Sequence, residues 1–342
     1  MIQHPLLLGG TYGSPYSLKM RAVLRYRRIP FRWVLRNSRW DQLPDVAVKI
    51  IPVIAFPDEN GEHHEAMVDS TPQIERLEAM VAERSLVPVD PVVAFLDELV
   101  EDYADEWLTK AMYHHRWAFP ESVTKAGQLL PLDSDLQMPP ERWEQARRFI
   151  TDRQISRRAL VGSTDANAPI IEGSYERLLD LLQEHLVELP FLFGHRPGRS
   201  DMGLFGQLSQ LVRWDPSSVR IAEERAPRVV SWVTRADDLS WLPVEGDEGW
   251  RDRDALPASL APLLAEMGRT YAPFMIANAA AHAAGAAEVV CEIDGHEYRQ
   301  GTFSYQVKCL GWLREHHAAL ADDDRRAVDA VLAGTGCEQL FA

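Results

Sequence analysis

The chain has 342 residues, which is long for one average domain and suits two. Its formal net charge of −15 argues against nucleic acid as a partner, because phosphate contacts need a basic face. No apolar run is long enough for a transmembrane helix, and the N-terminus lacks a secretory signal pattern, so we expect neither. The cysteines Cys291, Cys309 and Cys337 form an odd, widely spaced set, which favours a cytoplasmic protein without disulfide bonds.

The first part of the chain alternates between strand and helix patterns. Apolar residues at helical spacing after Pro15 predict a helix that ends before Pro30. Asn60-Gly61 is a strong signal for a hairpin turn, and Asp69 begins a further helix. Strands are predicted at residues 6–8, 31–35, 52–56 and 63–68. The predicted order is βαβ, then a β-hairpin, then a helix.

The remainder is predicted to be mostly helical. Two prolines in residues 84–91 predict a linker, and residues 92–240 predict an all-α domain. The helices are predicted near residues 91–115, 140–162, 172–188, 199–213 and 217–236. Residues 241–342 form an extension, with an irregular start, a β-hairpin at 289–301 around Asp294-Gly295, and helices near 269–287, 303–319 and 322–333.

Ser14-Pro15-Tyr16-Ser17 lies at the first strand-to-helix turn. A helix N-terminus presents unpaired amides and a positive dipole end, so it stabilises an anion such as a bound thiolate. The segment resembles the Cys-Pro-Tyr-Cys motif of glutaredoxins with both cysteines replaced by serine. A serine hydroxyl can donate to a bound sulfur but cannot form a disulfide. The alternative is that Ser14 only caps the helix.

Two further segments follow in order, Pro52-Val53 before the third strand and Asp69-Ser70 before the next helix. Each has an ordinary structural explanation when taken alone. Together with Ser14, they resemble the N-terminal domain of the glutathione S-transferases over residues 1–83. The resemblance implies an α/β thioredoxin-like domain followed by an all-α domain.

The same resemblance implies a set of site residues. Ser14 contacts the thiol of glutathione, with Tyr12, Tyr16 and Ser17 as alternatives. Pro52 is a cis-proline, and the backbone of Val53 pairs with the peptide of the ligand. Asp69 and Ser70 hold the γ-glutamyl group. The usual acid in the family is Glu, so Asp69 reaches one methylene less far.

The helical region also resembles the family through residues 191–206. Asp201 fits the acid of a helix-capping box, so we predict a structural role for it, although Gly198 offers no side-chain oxygen at the capping position. Beyond about residue 240 the resemblance ends. The aromatic residues of the extension favour core packing, and the alternative is that part of the extension closes a second-substrate pocket. They are Tyr271, Phe274, Phe303, Tyr305 and Trp312.

The leading hypothesis is an enzyme that binds glutathione as co-substrate, activates its thiol and directs it at a small electrophile, without a cofactor or metal. The resemblance also implies a homodimer. The alternative is a non-catalytic glutathione-binding or structural protein. A thiol–disulfide reductase is less favoured, because no cysteine lies near Ser14; it would return only if the extension folded back on the site.

The first 40 residues contain no acid but eight basic residues. Two explanations stay open. The group either favours a small anionic ligand or is a solvated helix face whose members pair with acids elsewhere. The eight are Lys19, Arg21, Arg25, Arg27, Arg28, Arg32, Arg36 and Arg39.

Overall fold

A computed structural model describes residues 4–342, and its first six elements form a thioredoxin-like domain. The four strands lie in the order β2-β1-β3-β4. β1 is parallel to β2 and antiparallel to β3, which is antiparallel to β4. This is the predicted α/β topology. The elements are β1 (Leu6–Gly10), α1 (Pro15–Tyr26), β2 (Phe31–Leu35), β3 (Val53–Pro57), β4 (His63–Val68) and α2 (Ser70–Met80).

Local sequence explains most of these boundaries. β1 is buried along its whole length, as its apolar run requires. Pro15 occupies the first turn of α1, where a missing N–H costs nothing. At the β3–β4 turn, the Asp58 carboxylate accepts from the amides of Asn60 and Glu62, and Gly61 takes a φ of +84°. The predicted turn therefore forms.

The rest of the chain is helical up to residue 283. A π-helical segment at Ala104–Leu108 joins α3 (Pro91–Tyr103) to α4 (Thr109–Trp117). The others are α5 (Pro120–Leu129), α6 (Pro140–Ile155), α7 (Ala168–Glu188), α8 (Arg199–Leu211), α9 (Pro216–Arg225), α10 (Pro227–Ala236) and α11 (Leu260–Ala283). Short 3-10 turns lie at Leu130–Asp133, Arg158–Val161, Arg253–Ala255 and Cys337–Phe341. None of these helices, nor any other in residues 4–342, is long and apolar enough to cross a membrane.

Two helix predictions were wrong. α5 was not predicted; it begins with Pro120 in its first turn and buries Ser122 and Ala126. α11 begins at Leu260 rather than at the predicted residue 269. The additional turns bury Leu260, Leu263, Leu264 and Met267, which lie on one face at helical spacing.

α8 is the central helix and is buried at every residue. Its first amides are satisfied by another helix. The Asp97 carboxylate on α3 accepts from the amides of Arg199 (2.8 Å) and Ser200 (3.1 Å) and from the Ser200 hydroxyl. A Cβ at position 198 would collide with Oδ1 of Asp97. Gly198 therefore leaves room for a cap that arrives from α3.

Asp201 completes this junction from the other side. One carboxylate oxygen accepts from the amide of Gly198 at 2.9 Å and the other from the amide of Leu192 at 3.1 Å. These contacts hold the turn before α8 against the helix start. Burial raises the pKa of Asp201 to about 8. The residue lies away from the large cavity described below.

The extension packs directly on the helical region. α11 lies against α7, and β5 (Glu288–Ile293) pairs with β6 (His296–Gly301) around the predicted Asp294-Gly295 turn. α12 (Ser304–Ala319) and α13 (Asp322–Leu332) both contact α3. Hydrophobic contacts run without a break from the sheet through α8 to the end of the chain. The boundaries at residues 83, 91 and 240 stay predictions.

Candidate functional site

A cavity of about 650 Å³ lies where the sheet domain, the helical region and the extension meet. Three groups of side chains line it. We call them the N-terminal wall (Ser14, Tyr16, Ile51, Pro52, Asp69 and Ser70), the acidic wall (Glu98, Glu101, Asp102, Asp105 and Glu106) and the extension wall (Gln300, Phe303, Tyr305, Gln306, Cys309, Trp312 and Leu313). This volume is typical of a small-molecule site.

Ser14 is the N-cap of α1. Its Oγ accepts from the amide of Ser17 at 3.3 Å, so the capping alternative is realised. Within residues 4–342, no acceptor takes the proton of the Ser14 hydroxyl, and the residue lines the cavity. Capping and donation into the cavity are therefore compatible, because the cap uses an oxygen lone pair and a ligand would use the proton.

The three alternatives to Ser14 are placed less favourably. Tyr12 does not line the cavity. Its half-exposed ring packs against Trp33, with 5.7 Å between the two ring centroids. Ser17 is buried, and its Oγ accepts from the amide of Thr11. Tyr16 lines the cavity, but its hydroxyl donates to the carbonyl of Asp105 at 2.8 Å.

The environment of Tyr16 also keeps its hydroxyl protonated. Burial, followed by the charges of Asp105 and Glu106, raises the pKa of Tyr16 well above its usual value. A tyrosinate at this position is therefore disfavoured, and the proton of the neutral Tyr16 hydroxyl is already bonded to the carbonyl of Asp105. Among the four candidates, only Ser14 combines a place on the cavity with a free donor.

The peptide bond between Ile51 and Pro52 is cis. The Gln73 amide nitrogen donates to the carbonyls of Pro52 (3.1 Å) and Met67 (2.9 Å), which ties the start of β3 to the end of β4. Ile51 and Pro52 line the cavity. Val53 does not; it is buried in the sheet, in register with Gly9 of β1 and Val68 of β4. Ile51 and Pro52, rather than Val53, are therefore the residues of this segment that border the cavity.

Asp69 has a backbone conformation that is unusual for its residue type, with φ +80° and ψ 116°. Its carboxylate does not cap α2. Instead, Oδ2 accepts from the Tyr305 hydroxyl of the extension at 2.6 Å. Strained backbone of this kind clusters at functional sites, and the carboxylate faces the cavity rather than stabilising the helix.

Ser70 is positioned by a lysine that the sequence analysis left in the basic group. Nζ of Lys19 lies 3.4 Å from Oγ of Ser70, 2.7 Å from Glu101 and 2.5 Å from Asp105. Burial alone would lower the pKa of Lys19, but the two carboxylates outweigh it and raise the pKa. A cation that donates to Oγ leaves the Ser70 proton for a ligand. The sequence did carry a signal for the burial of Lys19, because this residue lies on the apolar stripe of α1, one position after Leu18.

The acidic wall was missed altogether. Its members recur at the spacing i, i+3, i+4, i+7, i+8 along one predicted helix, which places them on one face. The pattern was visible as Glu98 to Glu106 in the sequence. The π-helical segment carries its last two members. Such segments are frequent at functional sites.

The members of this wall differ in charge compensation. Burial raises the pKa of Glu101, but Arg199 and Lys19 outweigh it, so its pKa is lowered. Asp102 accepts from the Tyr271 hydroxyl, and burial followed by the charge of Glu106 raises its pKa. Glu101 is therefore ionised, whereas Asp102 favours the protonated form.

Both explanations for the aromatic residues of the extension apply, each to different residues. Tyr271 and Phe274 are buried in the core. Phe303, Tyr305 and Trp312 line the cavity. The extension thus closes one side of the site.

The cysteines have no disulfide partner, and Cys309 lies on the extension wall. The extension therefore folds back on the cavity, which is the condition under which the reductase alternative was kept open. Burial, followed by the charges of Glu106 and Asp102, raises the pKa of the Cys309 thiol far above its usual value. A thiol in this environment is a poor nucleophile.

The basic group of the first 40 residues pairs mainly with acids elsewhere in the fold. Only Lys19 reaches the neighbourhood of the cavity, and its charge is taken by the acidic wall. The remaining pairs are Arg21 and Arg25 with Asp237, Arg27 with Glu78, and Arg36 with Asp41. Across residues 4–342, no group of three or more potential ligands has the geometry of a metal site.

Residues 8–85 match the family model described as "Glutathione S-transferase, N-terminal domain". No curated protein sequence matches the chain. Among solved structures, the chain is similar to a Tau class glutathione S-transferase from mango, Mangifera indica, with 16% identity, 75% of this chain and 95% of that chain covered, and a TM-score of 0.42.

Two further solved structures illustrate the same likeness. A beta-etherase from a Sphingobium species has 19% identity, covers 67% of this chain and 93% of its own, and gives a TM-score of 0.43. A maleylacetoacetate isomerase from Anaeromyxobacter dehalogenans, solved with bound GSH in its active site, has 15% identity. It covers 68% of this chain and 94% of its own, and gives a TM-score of 0.36.

Proposed function

We propose that this chain, whose residues 8–85 belong to the family of glutathione S-transferase N-terminal domains, binds glutathione in the cavity and conjugates its thiol to a small electrophile. The observation that carries the proposal is the N-terminal wall. Two helix N-termini, those of α1 and α2, lie on one cavity with Ser14 at the first and Asp69-Ser70 at the second. A tripeptide with a thiol and an anionic end fits such a pair.

In this proposal the Ser14 hydroxyl donates a hydrogen bond to the sulfur. The amides and dipole of α1 add to this donor, so the thiolate is favoured over the thiol. The thiol proton passes to solvent, and the thiolate attacks the electrophile and forms a carbon–sulfur bond. Either the leaving group departs with the electron pair of its bond to carbon, or the π-electron pair moves onto the electrophile, which then takes a proton from solvent. The Ser14 hydroxyl stays intact throughout.

The γ-glutamyl end is assigned to α2. The Ser70 hydroxyl, already accepting from Lys19, donates to the γ-glutamyl carboxylate together with the first amides of the helix. Asp69 accepts from the ammonium group through the oxygen that Tyr305 leaves free. In this proposal the backbone of Ile51, which lines the cavity, pairs with the peptide of the ligand.

Calorimetry with glutathione tests the binding step. Ser70→Ala and Asp69→Asn should each weaken binding about tenfold, because each removes a hydrogen bond to a charged group. Ser156→Ala, on an exposed helix end remote from the cavity, is the matched control and should bind as the parent does. Absence of binding at millimolar glutathione would sink the proposal.

Thiol titration tests the chemistry and separates it from the non-catalytic alternative. Ultraviolet absorbance of the bound thiolate should show a pKa below that of free glutathione, and Ser14→Ala should raise it by about one unit. Cys309→Ser should retain turnover; loss of turnover in this variant would instead favour a thiol–disulfide reductase.

A cytoplasmic location and a homodimer are part of the same proposal. The first is argued from the unpaired cysteines and the second from the family resemblance.

A further inference from the structure

We propose that the second substrate carries a cationic amine on an apolar body, and that Glu106 on the acidic wall binds the cation. The inference rests on the proposed function, because it takes the N-terminal wall as the place of the thiol co-substrate. It concerns the acidic wall, which lies beside the N-terminal wall and is not covered by the family resemblance.

Glu106 is buried yet open to the cavity. It is 8% exposed, lines the cavity, and its carboxylate oxygens form no hydrogen bond or ion pair with any residue in 4–342. The nearest amide, Nε2 of Gln306, donates to the Glu106 backbone carbonyl at 3.1 Å instead. A carboxylate that is largely removed from water and has no cationic partner within residues 4–342 favours a cation from outside the chain.

Two neighbouring acceptors are also left without a donor. Oδ1 of Asp105 and Oε1 of Gln306 are buried, lie on residues that line the cavity, and have no hydrogen-bond partner. Leaving a buried acceptor unpaired costs about 1–3 kcal/mol. With Glu106 ionised, all three unfilled groups are acceptors. A protonated amine offers several donors and no acceptor, so its chemistry matches what the cavity lacks.

The cations of residues 4–342 leave Glu106 and one oxygen of Asp105 without a partner. Lys19 pairs with Glu101 and with the other oxygen of Asp105. Lys110 lines the cavity one helical turn after Glu106, but its Nζ donates to Gln300 at 2.6 Å and lies 3.9 Å from the centre of the Phe274 ring. Burial lowers the pKa of Lys110 to about 7, so its charge is weakly held. An anionic substrate would be repelled here, which gives the site its selectivity.

The rest of the lining suits an apolar body. Beside the unfilled acceptors, the extension wall presents Phe303, Trp312 and Leu313, and the loop before β3 contributes Val48 and Ile50. Burial of such a body supplies affinity, and the charge at one end sets its orientation. The substrate class is therefore an amphiphilic amine.

Three probes of equal length test the charge preference: 4-phenylbutylamine, 4-phenylbutanol and 4-phenylbutyrate, measured by calorimetry on the full chain. The amine should bind at least tenfold more tightly than the alcohol, and the carboxylate should bind most weakly. Equal binding of the amine and the alcohol would overturn the inference. This comparison needs no variant, so it does not depend on a substitution that fails to fold.

Variants then locate the preference. Glu106→Gln should reduce the ratio of amine to alcohol affinity to about twofold or less, and Gln306→Met should lower it by a smaller factor. Glu121→Gln, an exposed acid on α5 outside the cavity, is the matched control and should leave the ratio unchanged. A ratio that persists in Glu106→Gln would contradict the assignment.

The ammonium group of glutathione is the other possible source of the cation, and a competition experiment distinguishes the two. S-Methylglutathione at saturation should leave the affinity for 4-phenylbutylamine within about twofold; displacement of the amine would overturn the proposal of a second substrate at Glu106. If glutathione does not bind but the amine preference holds and depends on Glu106, the proposed function fails while the amine site is supported.

Discussion

The N-terminal wall and the acidic wall of the cavity differ in the hydrogen-bonding groups that they offer. The first presents mainly donors, namely the Ser14 hydroxyl, the Ser70 hydroxyl and two helix N-termini, with the Asp69 carboxylate as an acceptor among them. The second presents acceptors, with Glu106 and one oxygen of Asp105 unfilled. The contrast shows that family motifs describe only one side of the site. The other side depends on a helix face and on an extension that the motifs do not reach.

Lys19 joins the two walls, and its removal should have the largest effect. Lys19→Met leaves the Asp105 carboxylate buried without its cation, and Glu101 keeps only Arg199. Loss of one partner from a buried ion pair costs several kcal/mol, so we expect the free energy of unfolding to fall by about 4 kcal/mol. Urea denaturation measures it.

Lys49→Met is the control, since Lys49 is exposed, and it should change stability by less than about 0.5 kcal/mol. A similar small change for Lys19→Met would mean that the two walls are energetically independent, and the comparison between them would lose its physical link.

The support behind the acidic wall is the cap that Asp97 of α3 provides to α8. Asp97→Ala should cost about 3 kcal/mol, because two buried amides and a hydroxyl lose their acceptor. Gly198→Ser should destabilise the parent, since its Cβ would collide with Asp97. In the Asp97→Ala background, the same substitution should recover about 1 kcal/mol by supplying a cap.

Thermal unfolding of the parent, Asp97→Ala, Gly198→Ser and the double variant gives a double-mutant cycle. The expected sign of the Gly198→Ser effect reverses between the two backgrounds. An equal effect in both would show that Asp97 does not act as the cap of α8.

Glu106 should give the smallest of the three effects, and it should depend on pH. Burial, followed by the charge of Asp105, raises the pKa of Glu106 from its usual 4.5 to about 7 in the folded protein. The folded state therefore holds a proton that the unfolded chain releases between these values. The contribution of this group to stability is complete below about pH 4.5 and is lost as the pH rises through about 7.

Glu106→Gln removes that titration. The stability of the variant relative to the parent should rise by about 2 kcal/mol between pH 5 and pH 7. Denaturant unfolding at the two pH values measures the difference. A constant difference across this range would indicate that Glu106 is solvated, and the acidic wall would then be an ordinary hydrated surface.

The fold of the first domain was predictable because its signals are local. Pro15 after a capping serine, the Asn60-Gly61 turn and the short apolar runs each act within a few residues. The resemblance built on Ser14, Pro52 and Ser70 therefore named residues that lie together on one cavity. Val53 does not line the cavity, because it is held inside the sheet between β1 and β4, and Ile51, two residues earlier, lines it instead.

The sequence by itself determined the thioredoxin-like topology, the central helix α8, the hairpin of the extension and the helix N-termini at Ser14 and Asp69. Only the tertiary structure decided which groups meet there. Tyr305 reaches Asp69 across 236 positions, and Asp97 caps a helix that begins about a hundred residues later. Such partners depend on how whole elements pack, and packing combines many weak contacts that no local pattern encodes.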